Sequence, residues 1–138
     1  MNPNDFQVHD VADFPLVRLM PEGLPEGYAA RWEAEMEALI GQPAPFVMVV
    51  AALQGEHREA HEDRKRRTLW MKRNRDALAR RCRGMVGVEP DTTRRLMMRT
   101  QSAALAGLFK VPLRIVASAG EADALARAFL DGHGVDRD

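Results

Sequence analysis

The chain has 138 residues, with 20 Lys+Arg against 20 Asp+Glu and a formal net charge of zero. That length suits one ordinary domain, and 46% hydrophobic with 29% charged residues is a globular balance that excludes disorder. The single cysteine, Cys82, excludes a disulfide framework and a cysteine-only zinc site.

Phe6-Gln7-Val8-His9-Asp10 alternates apolar and polar residues, as a half-buried strand does. Ala12-Asp13 turns the chain into a second strand, Leu16 to Met20, and Pro15 marks an edge position or a strand end. Pro21 to Gly27 is a loop of turn formers. Ala29, Trp32, Met36, Leu39 and Ile40 then fall at helical spacing, while Arg31, Glu33, Glu35 and Glu37 lie mostly off that stripe and Gly41 closes the helix. Phe46 to Leu53 is apolar throughout and rich in β-branched residues, the pattern of a strand buried on both faces of a parallel sheet. A buried helix shares that pattern; the preceding prolines and the following Gln54-Gly55 favour the strand. The run is too short to span a bilayer, and no signal-peptide pattern precedes Asp5 and Asp10, so a cytoplasmic chain is expected.

Residues from Arg58 to Arg83 form the longest predicted helix, with Trp70, Met71, Asn74, Leu78 and Cys82 as its inward stripe and Gly84 as its end. Met85 to Val88 is a short strand stopped by Glu89-Pro90. Asp91 or Thr92 caps the next helix, which carries Leu96, Met97, Thr100, Ala104 and Leu108. Pro112 precedes a last strand, Leu113 to Ala117, and Ser118 and Gly120 lead into an alanine-rich helix ending at Leu130. The order β-β-α-β-α-β-α-β-α predicts a single α/β domain over residues 1–138, with a mostly parallel sheet covered by helices.

Three local features sharpen that order. Phe46–Leu53 enters a loop and a long helix, Met85–Val88 follows that helix, and Leu113–Ala117 runs into Ser118-Ala119-Gly120-Glu121-Ala122. Together they resemble the STAS fold of bacterial anti-sigma factor antagonists and sulfate-transporter tails, over residues 6–130. The resemblance implies a regulatory domain in which a kinase phosphorylates an Asp-Ser or Asp-Thr step after the central strand. The matching stretch here, Leu53-Gln54-Gly55-Glu56-His57-Arg58, has no hydroxyl, so the resemblance implies a divergent member lacking the phosphorylatable residue. A flavodoxin-like sheet is the structural rival, and it requires a strand–helix–strand start.

The zero net charge conceals three blocks. Residues 1–63 carry a net charge of −9, residues 64–110 carry +11, and residues 111–138 carry −2. Between Arg64 and Arg83 stand ten bases in twenty residues, opposed only by Asp76. Such density suits phosphate backbones, acidic lipids or an acidic partner. The complement exists in residues 22–63, so internal or subunit-to-subunit pairing is at least as natural, and a pI near 6.9 argues against nucleic acid. Arg67 and Asn74 border the inward stripe, where a polar side chain ordinarily bonds neighbouring backbone.

His57 and His61 stand at i, i+4, a spacing that can present two imidazoles to one metal. Only His9, Glu56 or a distant acid could complete the set; a solvated, acid-rich helix start is the preferred reading, and no metal or cofactor is expected. Strand carboxyl ends in a parallel sheet form a rim for ligands. Here Gln54, Gly55, His57, Thr92, Arg94 and Ser118 make it a pocket for a small anion. Ser118 has no base identifiable in sequence, and Cys82 reads as a buried, inert thiol. Arg67, Arg73, Met97, Met98 and Leu105 are the interface candidates, because the helix after Asp91 is apolar on more than one side. The function these features favour is a non-catalytic regulatory or scaffolding module that contacts an acidic protein or a second copy. The alternative is an anion-binding accessory protein or enzyme using the rim.

Overall fold

The computed structural model describes residues 5–19, 24–50 and 61–132, with the backbone alone for 104–109. Among the described residues five strands form one sheet in the order β1-β2-β3-β4-β5: β1 (His9–Asp10), β2 (Leu16–Leu19), β3 (Phe46–Val50), β4 (Cys82–Val88) and β5 (Leu113–Val116). β1 is antiparallel to β2, and every later neighbour is parallel. The helices are α1 (Ala29–Gly41), α2 (His61–Arg73), α3 (Arg75–Arg81), α4 (Thr92–Phe109) and α5 (Ala119–Leu130). The α/β class and the mostly parallel sheet read from the sequence are therefore those of the structure. None of the described helices is long and apolar enough to cross a membrane.

β3 explains the two-layer covering. Its side chains alternate, so Phe46 and Met48 join a core with Trp32, Met36, Leu39, Trp70 and Leu78 from α1, α2 and α3. Val47 and Val49 face the other way, with Val86, Val88 and the α5 residues Ala122, Ala126 and Phe129. Both faces are buried, which is why the strand reads as an unbroken apolar run. Arg18 on β2 and Asp123 on α5 join across the second layer at 2.7 Å.

Several predicted boundaries shift, each for a local reason. The first strand shrinks from Phe6–Asp10 to His9–Asp10, because the N–H groups of Gln7, Val8 and His9 all donate to the Glu35 carboxylate. Glu35 itself is buried, contrary to its placing off the helix stripe: it lies one turn from Trp32 and one turn from Leu39. Gly41 is the last residue of α1, and Gln42 stops the helix by donating from its side chain to the Leu39 and Ala44 carbonyls.

The long basic helix is broken. α2 ends at Arg73 and α3 starts at Arg75, with Asn74 bending the chain while its Nδ2 donates to the Trp70 carbonyl at 3.0 Å. This is the backbone-bonding role expected of Asn74. Cys82 and Gly84 belong to β4 and not to the helix or its stop. Gly84 is a packing position: a Cβ built there would lie 2.6 Å from the ring of Phe129. β4 can pass under α5 only because that side chain is missing.

Gly84→Ala is expected to destabilise the fold by about 1–3 kcal/mol, the usual cost of overpacking a well-filled core. Urea denaturation of the variant beside the native chain measures it, and a midpoint equal to the native one would refute the close approach.

Candidate functional site

The parallel pairing of β4 and β5 brings their carboxyl ends to one edge of the sheet, the rim. Asp91 accepts from the Arg94 N–H at 2.9 Å and caps α4. Ser118 accepts from the Glu121 N–H at 3.2 Å, while Glu121 accepts from the Ala117 N–H at 3.1 Å. The Ser118 hydroxyl thus caps the start of α5, and Glu121 reaches back to the residue before the cap. Thr92 and Arg94 are exposed on the first turn of α4. Gln54, Gly55 and His57 lie outside the described residues.

Sequence patterning treated Glu89 as a strand stop and missed its burial. Its side chain is 1% exposed, one oxygen accepts from the Asp91 N–H at 3.0 Å, and the other has no hydrogen-bond partner. A cleft of about 500 Å³ does open on this molecule, but it runs along α1, lined by Phe6, Arg31, Ala34, Glu35, Ala38 and Gln42, and no rim residue borders it.

A second cluster lies under α1. The Glu35 carboxylate accepts from Gln7 and His9 N–H at 2.8 Å each, from Val8 N–H at 3.1 Å, and meets His9 Nδ1 at 2.9 Å. Burial pushes its pKa up, but His9 and the three amides outweigh that and hold it down to about 2. His9 Nε2 is buried without a partner, and the ring sits 6.4 Å from that of Trp32. His61 stands exposed at the start of α2. No group of three His, Cys, Asp or Glu among the described residues is placed to hold a metal ion. Cys82 is buried, and that burial pushes its thiol up to about 12, which keeps it out of thiolate chemistry at neutral pH.

The basic segment meets the acidic one along the seam between α1 and α2. Asp63 accepts from the N–H groups of Gly27 and Ala29 at 2.9 and 3.1 Å, closing the start of α1 from the neighbouring helix. Glu33 takes a hydrogen bond from Arg66 and lies 3.7 Å from Arg73. Trp70 packs edge-on to Trp32 at 5.3 Å and donates to Glu37 at 2.8 Å, and Arg67 lies over the Trp32 ring. Two interface candidates, Arg67 and Arg73, thus sit in contacts within the chain. Arg81 is half-buried and donates to the Gln42 carbonyl at 2.9 Å, while Lys65, Lys72 and Arg83 are exposed.

The other interface candidates are on α4. Leu96 and Met97 are each 57% exposed, Met98 is half-buried, and the Leu105 side chain is outside the described set. No protein-family model matches the chain, and no curated protein or solved structure shows a significant match to it.

The Glu35 cluster has a definite pH signature. Its folded pKa of about 2 lies below the ordinary 4.5, so its stabilisation is complete above the ordinary value and is lost as pH falls toward 2. Glu35→Gln should cost about 2 kcal/mol at neutral pH, from weaker bonding of three buried amides. It should also flatten the fall in stability between pH 4.5 and 2. Urea midpoints measured across that range check both; an unchanged slope would contradict the assignment.

Proposed function

We propose that this chain is a non-catalytic binding module of the STAS-like kind, regulatory or scaffolding in role, which engages an acidic protein partner through the outer face of α2. The observation that carries the reading is the stripe Lys65, Leu69 and Lys72, at i, i+4 and i+7 on the side of α2 away from α1. The inner side of the same helix is occupied by Asp63 and Trp70 in their contacts with α1. Leu69 is 45% exposed between two cations.

Cations flanking an exposed leucine favour a protein over a phosphate backbone, which offers the leucine nothing apolar. One leucine on a helix otherwise covered in charge is too little for burial in a lipid interface. The element order, with an antiparallel opening pair followed by parallel strands, supports the STAS-like part of the reading. The engagement of Ser118 in a cap and of Cys82 in the core supports a role without nucleophilic catalysis.

The test uses poly-L-glutamate as the acidic probe, read by the emission of Trp32 and Trp70, both buried at the α1–α2 seam. The native chain should bind it, Lys65→Glu/Lys72→Glu should weaken binding at least ~10-fold, and Leu69→Ala by a smaller factor. Tighter binding to a DNA duplex or to phosphatidylserine vesicles than to poly-L-glutamate would overturn the proposal. So would an unaffected double variant.

A further inference from the structure

The carbonyls on the open side of β5 are covered by arginines. Pro112 and Val116 point their carbonyls at β4, where they accept from the Met85 and Glu89 N–H groups at 2.9 and 2.8 Å. Backbone groups alternate in direction along a parallel strand. Leu113 and Ile115 therefore turn their N–H and C=O groups away from β4, toward the free edge of the sheet. Arg99 reaches over from α4 and donates twice to the Ile115 carbonyl, at 3.1 and 2.9 Å. Arg114 folds its own guanidinium back onto the Leu113 carbonyl at 3.1 Å. Both outward carbonyls of β5 thus carry a guanidinium. At the opposite edge an acid has the complementary task, because Glu35 takes the N–H groups of Gln7, Val8 and His9 at the start of β1.

We infer that β5 is a strand-pairing surface held shut, with Arg99 and Arg114 as the guards that keep a second copy of this chain from adding its own β5 edge to edge. The inference concerns the sheet edge and does not rest on the binding role of α2. An added strand needs the outward carbonyls as acceptors for its N–H groups, and here both are occupied. Paired strands lie about 4.8 Å apart, so two copies of β5 meeting across a two-fold axis bring two Arg99 and two Arg114 side chains together. Like charges at that spacing oppose the contact. The segment behind the guards is strand-prone: Val111, Leu113, Ile115 and Val116 favour extended pairing, and Arg114 is the only charge between Val111 and Ala117. A zero net charge supplies no long-range repulsion between copies, so protection of this edge has to be local.

The test compares the native chain with Arg99→Ala/Arg114→Ala by sedimentation and by amide hydrogen exchange resolved to single residues, both across a concentration series. In the native chain, exchange of the Leu113 and Ile115 amides should not depend on concentration. In the double variant those two outward amides should become at least ~10-fold more protected as concentration rises, while dimers or longer assemblies grow. Arg114→Ala alone, which leaves α4 intact, should show a smaller rise of the same sign, and its absence counts against the inference even where the double variant folds poorly. Arg94→Ala/Arg127→Ala removes the same charge from two other exposed arginines and should behave as the native chain. Gly84→Ala, which disturbs the packing under α5 and keeps both guards, should also leave that exchange independent of concentration, which separates edge pairing from a general loss of stability. Native protection that rises with concentration, guard variants that behave as the native chain, or equal assembly of Arg94→Ala/Arg127→Ala would each overturn the inference.

Discussion

The Glu35 carboxylate gathers four donors from one short segment: the N–H groups of Gln7, Val8 and His9 and the imidazole Nδ1 of His9. A buried carboxylate is costly unless it is bonded on every side, and backbone amides are costly to bury unless they are bonded too. Each satisfies the other. That exchange fastens the first strand to α1, and α1 in turn carries much of the remaining architecture. Glu33 and Glu37, one residue pair to either side, hold Arg66 and Trp70 of α2, while Asp63 of α2 closes the start of α1. Three glutamates within five residues thus have three different tasks, set by which way the helix turns each of them.

The same seam divides the charge of the basic segment. On its inner side, acid and base meet across partly buried ground, with Arg67 lying on the Trp32 ring and Trp32 lying against Trp70. On its outer side, cations stand in water, where each contributes little to stability and much to the field that a partner would sense. A helix that looked uniformly basic has one side that builds the fold and one side that stands in water. On α4, Arg95 and Arg99 bond the carbonyls of Glu89, Pro90 and Ile115, while Leu96 and Met97 stand exposed. The two helices therefore expose surfaces of unlike chemistry.

Much of this was legible from residue order. The double-faced burial of β3 follows from its unbroken apolar run, and Asp91, one of two caps the sequence offered, is the cap of α4, whereas Ser118 read as a rim residue and serves as the cap of α5. Asn74 was recognisable as a backbone-bonding residue, although not as the point where the helix breaks. The buried acids were harder to see. Glu35 sits on the apolar stripe by spacing alone, one turn from Trp32 and Leu39, but charge normally marks the solvent side of a helix, and that rule misled. Glu89 carried no periodic signal at all, because a single residue at the end of a strand has no pattern around it. Cys82 and Gly84 were drawn into the preceding helix since Leu78 and Cys82 are one turn apart, a spacing that fits a helix whether or not the chain still follows one.

The sequence by itself determined the class of the fold, the order of its elements and the polarity of its charge, because periodicity and composition are properties of neighbours along the chain. Tertiary structure decided which charges are satisfied and which face outward, because those depend on residues far apart. The carboxylate of Glu35 meets amides 26 to 28 residues away, Asp63 reaches the start of α1, and Arg99 reaches a carbonyl of β5. Those long-range bonds settle which side chains are held inside, and Lys65, Lys72, Leu96 and Met97 are among those that stay exposed.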